Sequence, residues 1–275
     1  MKLWALLPAL LLAACSPQHS GPVPQAQEDR IINGKSVERD SQVANATVAL
    51  MLVDGDRLRT FCTGTLISKD LIVTAGHCLE PIQSGYEVVI SFGSETFYSK
   101  GEGDIREIDR ALSYDMVTPQ AGDGTSRASV ELRDLALIKL RTLAPRWALP
   151  VPVLGSEARL NAGQEVLLAG FGRTNEKLSE MSKYLLTTHV RVLGVQDRKI
   201  IVDQSQGTGA CWGDSGGPAF LQTESGLVVV GATSGAVDGS LNCHTQVAYA
   251  SLAGFKEFLQ KAASVLGGEA PLFTE

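Results

Sequence analysis

A chain of 275 residues is long enough for one large domain or two small ones, and buries about three quarters of the surface its unfolded form exposes. Its formal net charge of −6 excludes the broad electropositive surface by which nucleic acid or anionic lipid is bound. Five cysteines are an odd number, which in an exported protein leaves one thiol outside any set of disulfides.

Residues 1–14 carry one early Lys and an apolar run through Leu12. That run is too short to cross a bilayer as a helix and is laid out like a cleaved secretory signal. It ends in Leu12-Ala13-Ala14-Cys15, which resembles the lipobox of bacterial lipoproteins. The resemblance implies that Cys15 is lipidated and becomes the first residue of a mature chain anchored in a bacterial cell envelope, facing the periplasm or the exterior. Two or more acyl chains anchor stably where one does not. Without the lipid the segment is an ordinary secretion signal and the protein is freely secreted. Setting Cys15 aside leaves Cys62, Cys78, Cys211 and Cys243, an even set suited to an oxidising compartment, with three connectivities open. Residues 15–30 are rich in Pro, Gln and Ser, too poor in apolar side chains to pack, and read as a flexible linker or pro-segment.

From Ile31 the chain changes to short apolar or alternating runs at 47–53, 65–67, 71–73, 87–92, 135–140, 165–169, 185–193 and 227–232, separated by Gly, Asp, Asn and Ser. Many strands and few helices predict an all-β sandwich or barrel. Residues 109–130, polar and Gly-containing, read as a long surface loop. One helix is predicted over 252–266, with Phe255, Phe258, Leu259, Ala262 and Leu266 at helical spacing and Gly267-Gly268 just beyond; its role is packing. Asn45-Ala46-Thr47 fits a glycosylation sequon but is discounted for a bacterial chain.

Three segments carry chemistry. In Cys211-Trp212-Gly213-Asp214-Ser215-Gly216-Gly217-Pro218 the glycines let the backbone turn sharply and present N–H groups beside a serine. Such a hydroxyl becomes a nucleophile only with an adjacent base and donors for the oxyanion it creates. Val73-Thr74-Ala75-Gly76-His77-Cys78 places a His after an apolar strand, and Arg133-Asp134-Leu135-Ala136-Leu137 places an Asp at the mouth of another. The order His77, Asp134, Ser215 is one of the chain orders in which such a triad occurs.

With these segments the chain resembles the trypsin and chymotrypsin family of serine peptidases from Ile31 to about Leu266. Arg30-Ile31-Ile32-Asn33-Gly34 looks like the family's activation site, Cys62-Thr63-Gly64-Thr65-Leu66-Ile67 like its strand before the histidine, and Ala169-Gly170-Phe171-Gly172 like its mid-chain turn. The resemblance implies a peptidase domain over 31–275 made of two six-stranded antiparallel β-barrels with a C-terminal α-helix. It also implies disulfides Cys62–Cys78 and Cys211–Cys243, worth about 3 and about 3.5–4 kcal/mol by loop-closure entropy. The implied roles are His77, Asp134 and Ser215 as catalytic residues and the amides of Gly213 and Ser215 as oxyanion hole. The resemblance also implies that cleavage after Arg30 by an activating protease frees Ile31 to pair with Asp214. By the same resemblance Gly209 and Ala210 match the base of the family's specificity pocket, Ala236 and Val247 its walls, and Ser234 the serine beside the catalytic Asp. Gly235 stands where a Trp is common in the family, which opens that wall. The pocket has no acid at its base, so small or medium apolar residues are expected before the scissile bond; Asp238, in a nearby loop, is the residue that could change this from the rim. Partners are then protein or peptide substrates, and neither metal nor organic cofactor is called for.

Two other readings compete. An α/β-hydrolase would use the same Gly-Asp-Ser-Gly-Gly as a nucleophile elbow with Asp238 and His244, but the region before Ser215 lacks strand-helix alternation. An inactive protease scaffold serving as a binding protein is the second, although all three catalytic residue types are present. His19, in the linker, and His189 and His244 are read as surface or packing residues.

Overall fold

The computed structural model describes residues 31–275 except 98, 100, 102, 119–132, 178 and 241. The expectations for 1–14 and 15–30, including Cys15, His19 and Arg30, lie outside the described residues.

After a two-residue strand β1 (Lys35–Ser36), six strands form a closed antiparallel barrel. They are β2 (Thr47–Asp54), β3 (Arg57–Leu66), β4 (Leu71–Thr74), β5 (Val88–Phe92), β6 (Asp104–Ser113) and β7 (Ala136–Leu140), joined in the order β2-β3-β4-β7-β6-β5. The short β8 (Val153–Leu154) leads into a second set: β9 (Glu165–Gly170), β10 (Leu186–Gln196), β11 (Lys199–Asp203), β12 (Pro218–Thr223), β13 (Gly226–Ala236) and β14 (Gln246–Ser251). These run β12-β9-β10-β11-β14-β13 and close by pairing β12 with β13, while β8 and β15 (Phe273–Thr274) add in parallel beside β13. The fold is therefore two closed six-stranded antiparallel barrels, as the resemblance implied.

The apolar runs are nearly continuous because many strands are buried on both faces. Val48 and Leu50 of β2 point into the first barrel, whereas Ala49 and Met51 join a cluster shared with the second. Ile138 and Leu137 of β7, and Val230 and Val229 of β13, divide in the same way. Side chains alternate across a strand, so both sets must be apolar when neither face meets water. Closure also removes exposed strand edges.

The expected loop at 109–130 is corrected in part: residues 104–113 are strand β6, and Tyr114–Val117 form a short helical turn. A bulge between Ile108 and Arg110 breaks the period of two, and most of the strand's residues are only partly buried, so the usual alternation is missing from the sequence. Strands β11, β12 and β14 were also not expected. The C-terminal helix spans Lys256–Leu266, a turn later than the periodicity suggests. Gly254 is unfavourable within a helix by about 1 kcal/mol, and residues 252–255 form a turn instead. The helix buries Phe258, Leu259, Ala262 and Leu266 in the cluster between the barrels. Arg110 of β6 donates to the carbonyls of Val265 and Leu266 at its end, where the helix dipole favours a cation.

Candidate active site

Register between neighbouring strands brings His77 to Asp134. Thr74 at the end of β4 pairs with Ala136 at the start of β7, so the residues just after the one and just before the other share one rim of the barrel. His77 sits in the 3₁₀ turn Gly76–Leu79. Its Nδ1 lies 2.9 Å from Asp134 Oδ2 and 3.1 Å from Oδ1, and its backbone N–H donates to Oδ1 at 2.9 Å. Ser234, from β13 of the other barrel, donates its hydroxyl to Asp134 Oδ2 at 2.7 Å. Burial alone would raise the pKa of Asp134, but the His77 hydrogen bond and charge, the Ser234 hydroxyl and the His77 N–H outweigh it and the net shift is downward. Burial likewise opposes a charged His77, yet the Asp134 hydrogen bond and charge, with Glu80 further off, raise its pKa above 6.5.

Ser215 stands at the apex of the 213–217 turn, and Thr63 of β3 pins that turn to the first barrel. The Thr63 N–H donates to the Ser215 carbonyl at 2.9 Å and its hydroxyl to the Gly213 carbonyl at 2.9 Å. Among the described residues no acceptor takes the N–H of Gly213 or of Ser215, and none is bonded to Ser215 Oγ or to His77 Nε2. The turn thus leaves a hydroxyl, an imidazole nitrogen and two backbone donors available to a ligand.

Asp214 points away from this opening into a cradle of glycines. Its carboxylate accepts the N–H of Gly172 at 2.8 Å and of Cys211 at 2.9 Å. A Cβ on Gly170 or Gly172 would come within 2.1 or 2.4 Å of that carboxylate, so the Gly-Phe-Gly turn is glycine because the acid needs the room. Burial pushes the Asp214 carboxyl up to about 7, against the two N–H bonds. Ile31 is itself buried, and Ile32 bridges Gly209 through backbone pairing.

His77, Asp134 and Ser215 line one cleft of about 690 Å³ between the barrels, together with Ala210, Trp212, Ser234, Ala236, Asn242 and Val247. Gly209 is buried and not among its lining residues, and its open face lies against the side chain of Gln204. Nothing stands within 4 Å of a Cβ on Gly235, so that wall is open. Asp238 does not line the cleft; it is fully exposed and its Oδ1 accepts the N–H of Ser240 at 2.9 Å. The disulfides Cys62–Cys78 and Cys211–Cys243, with Cα separations of 6.2 and 5.1 Å, are the pairing the resemblance implied. The second joins the two walls of the pocket.

The elbow reading has no support in the geometry. The barrels are antiparallel, and His244 lies outside the cleft with Nε2 3.6 Å from Glu176. His189 is exposed on β10. Among the described residues the only cluster with metal-ligand spacing is Cys62, His77 and Cys78, whose sulfurs are locked in a disulfide and offer no thiolate. Sequence reasoning missed the supporting residues Thr63, Glu176 and Gln204. Each acts through backbone contacts that no motif or period signals.

The chain matches the Trypsin family over residues 31–259. It is 30% identical over 241 residues to a collagenase of Hypoderma lineatum, covering 83% of this chain and 86% of that protein. It is 25% identical over 228 residues to kallikrein-8 of Homo sapiens, covering 79% of each. A trypsin-like protease of Streptomyces glaucescens is 27% identical over 223 residues, covering 74% of this chain and 75% of that protein. Two closed barrels, a serine turn facing a His–Asp pair and a family match over most of its length make this chain a member of the Trypsin family, a serine endopeptidase.

Proposed function

We propose that this protein hydrolyses peptide bonds through an acyl-enzyme, with Ser215 as nucleophile, His77 as base and Asp134 as the acid that orients it. The observation that carries this reading is the His77 Nδ1–Asp134 contact at 2.9 Å in the cleft that Ser215 also lines. With Nδ1–H held by the carboxylate, Nε2 is left as the acceptor for the Ser215 proton. Ser215 Oγ attacks the scissile carbonyl as its proton passes to His77, and the negative oxygen is met by the free N–H groups of Gly213 and Ser215. Such a donor is worth about 3 kcal/mol. His77 then protonates the departing amine, the C–N bond breaks, and water repeats the cycle on the ester, releasing the acid and restoring the Ser215 proton.

Small or medium apolar residues are proposed to precede the scissile bond. Ala210, Ala236 and Val247 line the pocket without a carboxylate among them, and a buried Arg or Lys needs one to offset its desolvation. Asp238, capped by Ser240 and turned to solvent, leaves that balance unchanged. Protein beginning at Ile31, tested on a diverse peptide mixture, is expected to cleave after Ala, Val or Leu, with selectivity of about 10–200-fold per methylene. Efficient cleavage after Arg would overturn the pocket assignment. An enzyme that avoids Arg also processes its own Arg30–Ile31 bond slowly, so maturation falls to another protease.

The lipid anchor on Cys15 is proposed from the lipobox alone, and with it placement in a bacterial envelope. Cys15→Ser is expected to leave uncleaved or mislocalised precursor without added acyl mass. A mature N-terminus at another residue, found by mass spectrometry on the unaltered protein, removes the anchor and leaves a secreted peptidase.

A further inference from the structure

Gln204 follows β11 and is fully buried, where a polar side chain must have every hydrogen bond satisfied. Its Nε2 donates to the carbonyls of Ala210 at 3.0 Å and Cys243 at 2.8 Å, and its Oε1 accepts the N–H of Ala210 at 2.8 Å. An amide supplies donor and acceptor in one plane, so Gln204 pairs with Ala210 at both its N–H and C=O, as a neighbouring strand would. Ala210 and Cys243 stand on the two sides of the specificity pocket, already tied by the Cys211–Cys243 disulfide. The disulfide fixes their separation, while the amide fixes the orientation of their peptide groups. From the outer side Glu176 Oε1 accepts the Cys243 N–H at 2.6 Å.

A second observation concerns volume. A Cβ built on Gly209 would lie 2.1 Å from Gln204 Cδ and 2.5 Å from its Cγ and Nε2, far inside any real contact. The space into which a side chain at 209 would project is occupied by Gln204.

We infer that Gln204 is the specificity-determining residue of this pocket. It is a positioning residue that acts through Ala210 and Cys243, and it stands in the place of a floor residue at 209. Held this way, the two walls accept a short apolar side chain, and the deep end is shut to a long one. The inference rests on the apolar-pocket reading above, and extends it from the lining residues to the side chain behind them.

The test compares unaltered protein beginning at Ile31 with Gln204→Ala, Gly209→Asp and the double variant. The substrates place Ala, Val, Leu, Phe or Arg before the scissile bond. Fluorophosphonate labelling counts competent sites and thermal melts report folding. Gln204→Ala is expected to raise the Phe-over-Ala ratio of kcat/KM about tenfold or more, chiefly through KM, with the labelling rate unchanged. Gly209→Asp alone is expected to melt lower and to gain no Arg cleavage, whereas the double variant gains it. A Gly209→Asp protein that melts normally and cleaves Arg substrates would overturn the role of Gln204 even if Gln204→Ala failed to fold. So would a labelled Gln204→Ala protein with the unaltered ratio. Preference for Arg in the unaltered protein is a different failure, that of the apolar pocket itself.

Discussion

Replacing Ser215 by Ala, or His77 by Ala, is expected to lower kcat by about 10⁶-fold, and the double variant by hardly more, because the residues act as one unit. A fluorophosphonate should label Ser215 in the unaltered protein and fail to label the His77→Ala form, since only a base-activated hydroxyl reacts quickly with that electrophile. His77 must be neutral to take the proton, so activity rises with pH through its pKa, which the Asp134 carboxylate places above the ordinary imidazole value. The matching stability contribution has the opposite sense: it is present below about pH 6.5 and fades as pH rises through the folded pKa. Peptidase activity retained in Ser215→Ala protein would end the assignment.

Cleavage after Arg30 is expected to raise kcat/KM by at least about 10²-fold, the scale on which one firmly held oxyanion donor counts, because the free Gly213 and Ser215 N–H groups are held no more firmly than Asp214 between them. Asp214 is buried in its glycine cradle with two backbone N–H partners and a carboxyl pushed up to about 7. In the unfolded chain the same group ionises near 3.8. The precursor therefore loses stability as pH rises between those values, on the order of 4 kcal/mol. In the activation scheme we propose, an amine freed at Ile31 supplies a cation for this acid, and pairing raises the amine's pKa, so its stabilisation persists until pH passes that value. The stability gap between cleaved and uncleaved protein should widen from acid to neutral pH, read by paired denaturant titrations. Asp214→Asn should fold, lose the pH dependence of the gap, and remain poor before and after cleavage. Equal activity of cleaved and uncleaved protein would remove the activation scheme.

The parts legible in the sequence were those where one residue type answers one physical demand. Apolar runs such as 135–140 announce strands because both faces of β7 are buried, and the serine turn announces itself through glycines that only a crowded backbone requires. Strand β6 was not legible, since its bulge and half-exposed charged residues erase the alternation. The crowding beside Gly209 was hidden for a different reason. Gly209 was placed by the family resemblance, but what fills the space beside it is Gln204, a residue brought there by tertiary packing. Thr63 escaped for the same cause: its contacts to Gly213 and Ser215 cross from one barrel to the other.

That crossing bears on how such an enzyme can change. His77 and Asp134 belong to the first barrel, whereas Ser215, Ala210, Ala236 and Val247 belong to the second. The His–Asp pair and the side-chain pocket are thus housed in separate closed barrels, and the proposed proton transfer from Ser215 to His77 crosses the seam where they meet. On the proposed reading, substitutions behind the recognition wall redirect which bond is cut while leaving the His–Asp pair undisturbed, so that new diets would be acquired without relearning the chemistry. The seam itself, held by Thr63 and Ser234 reaching across it, is where that freedom stops.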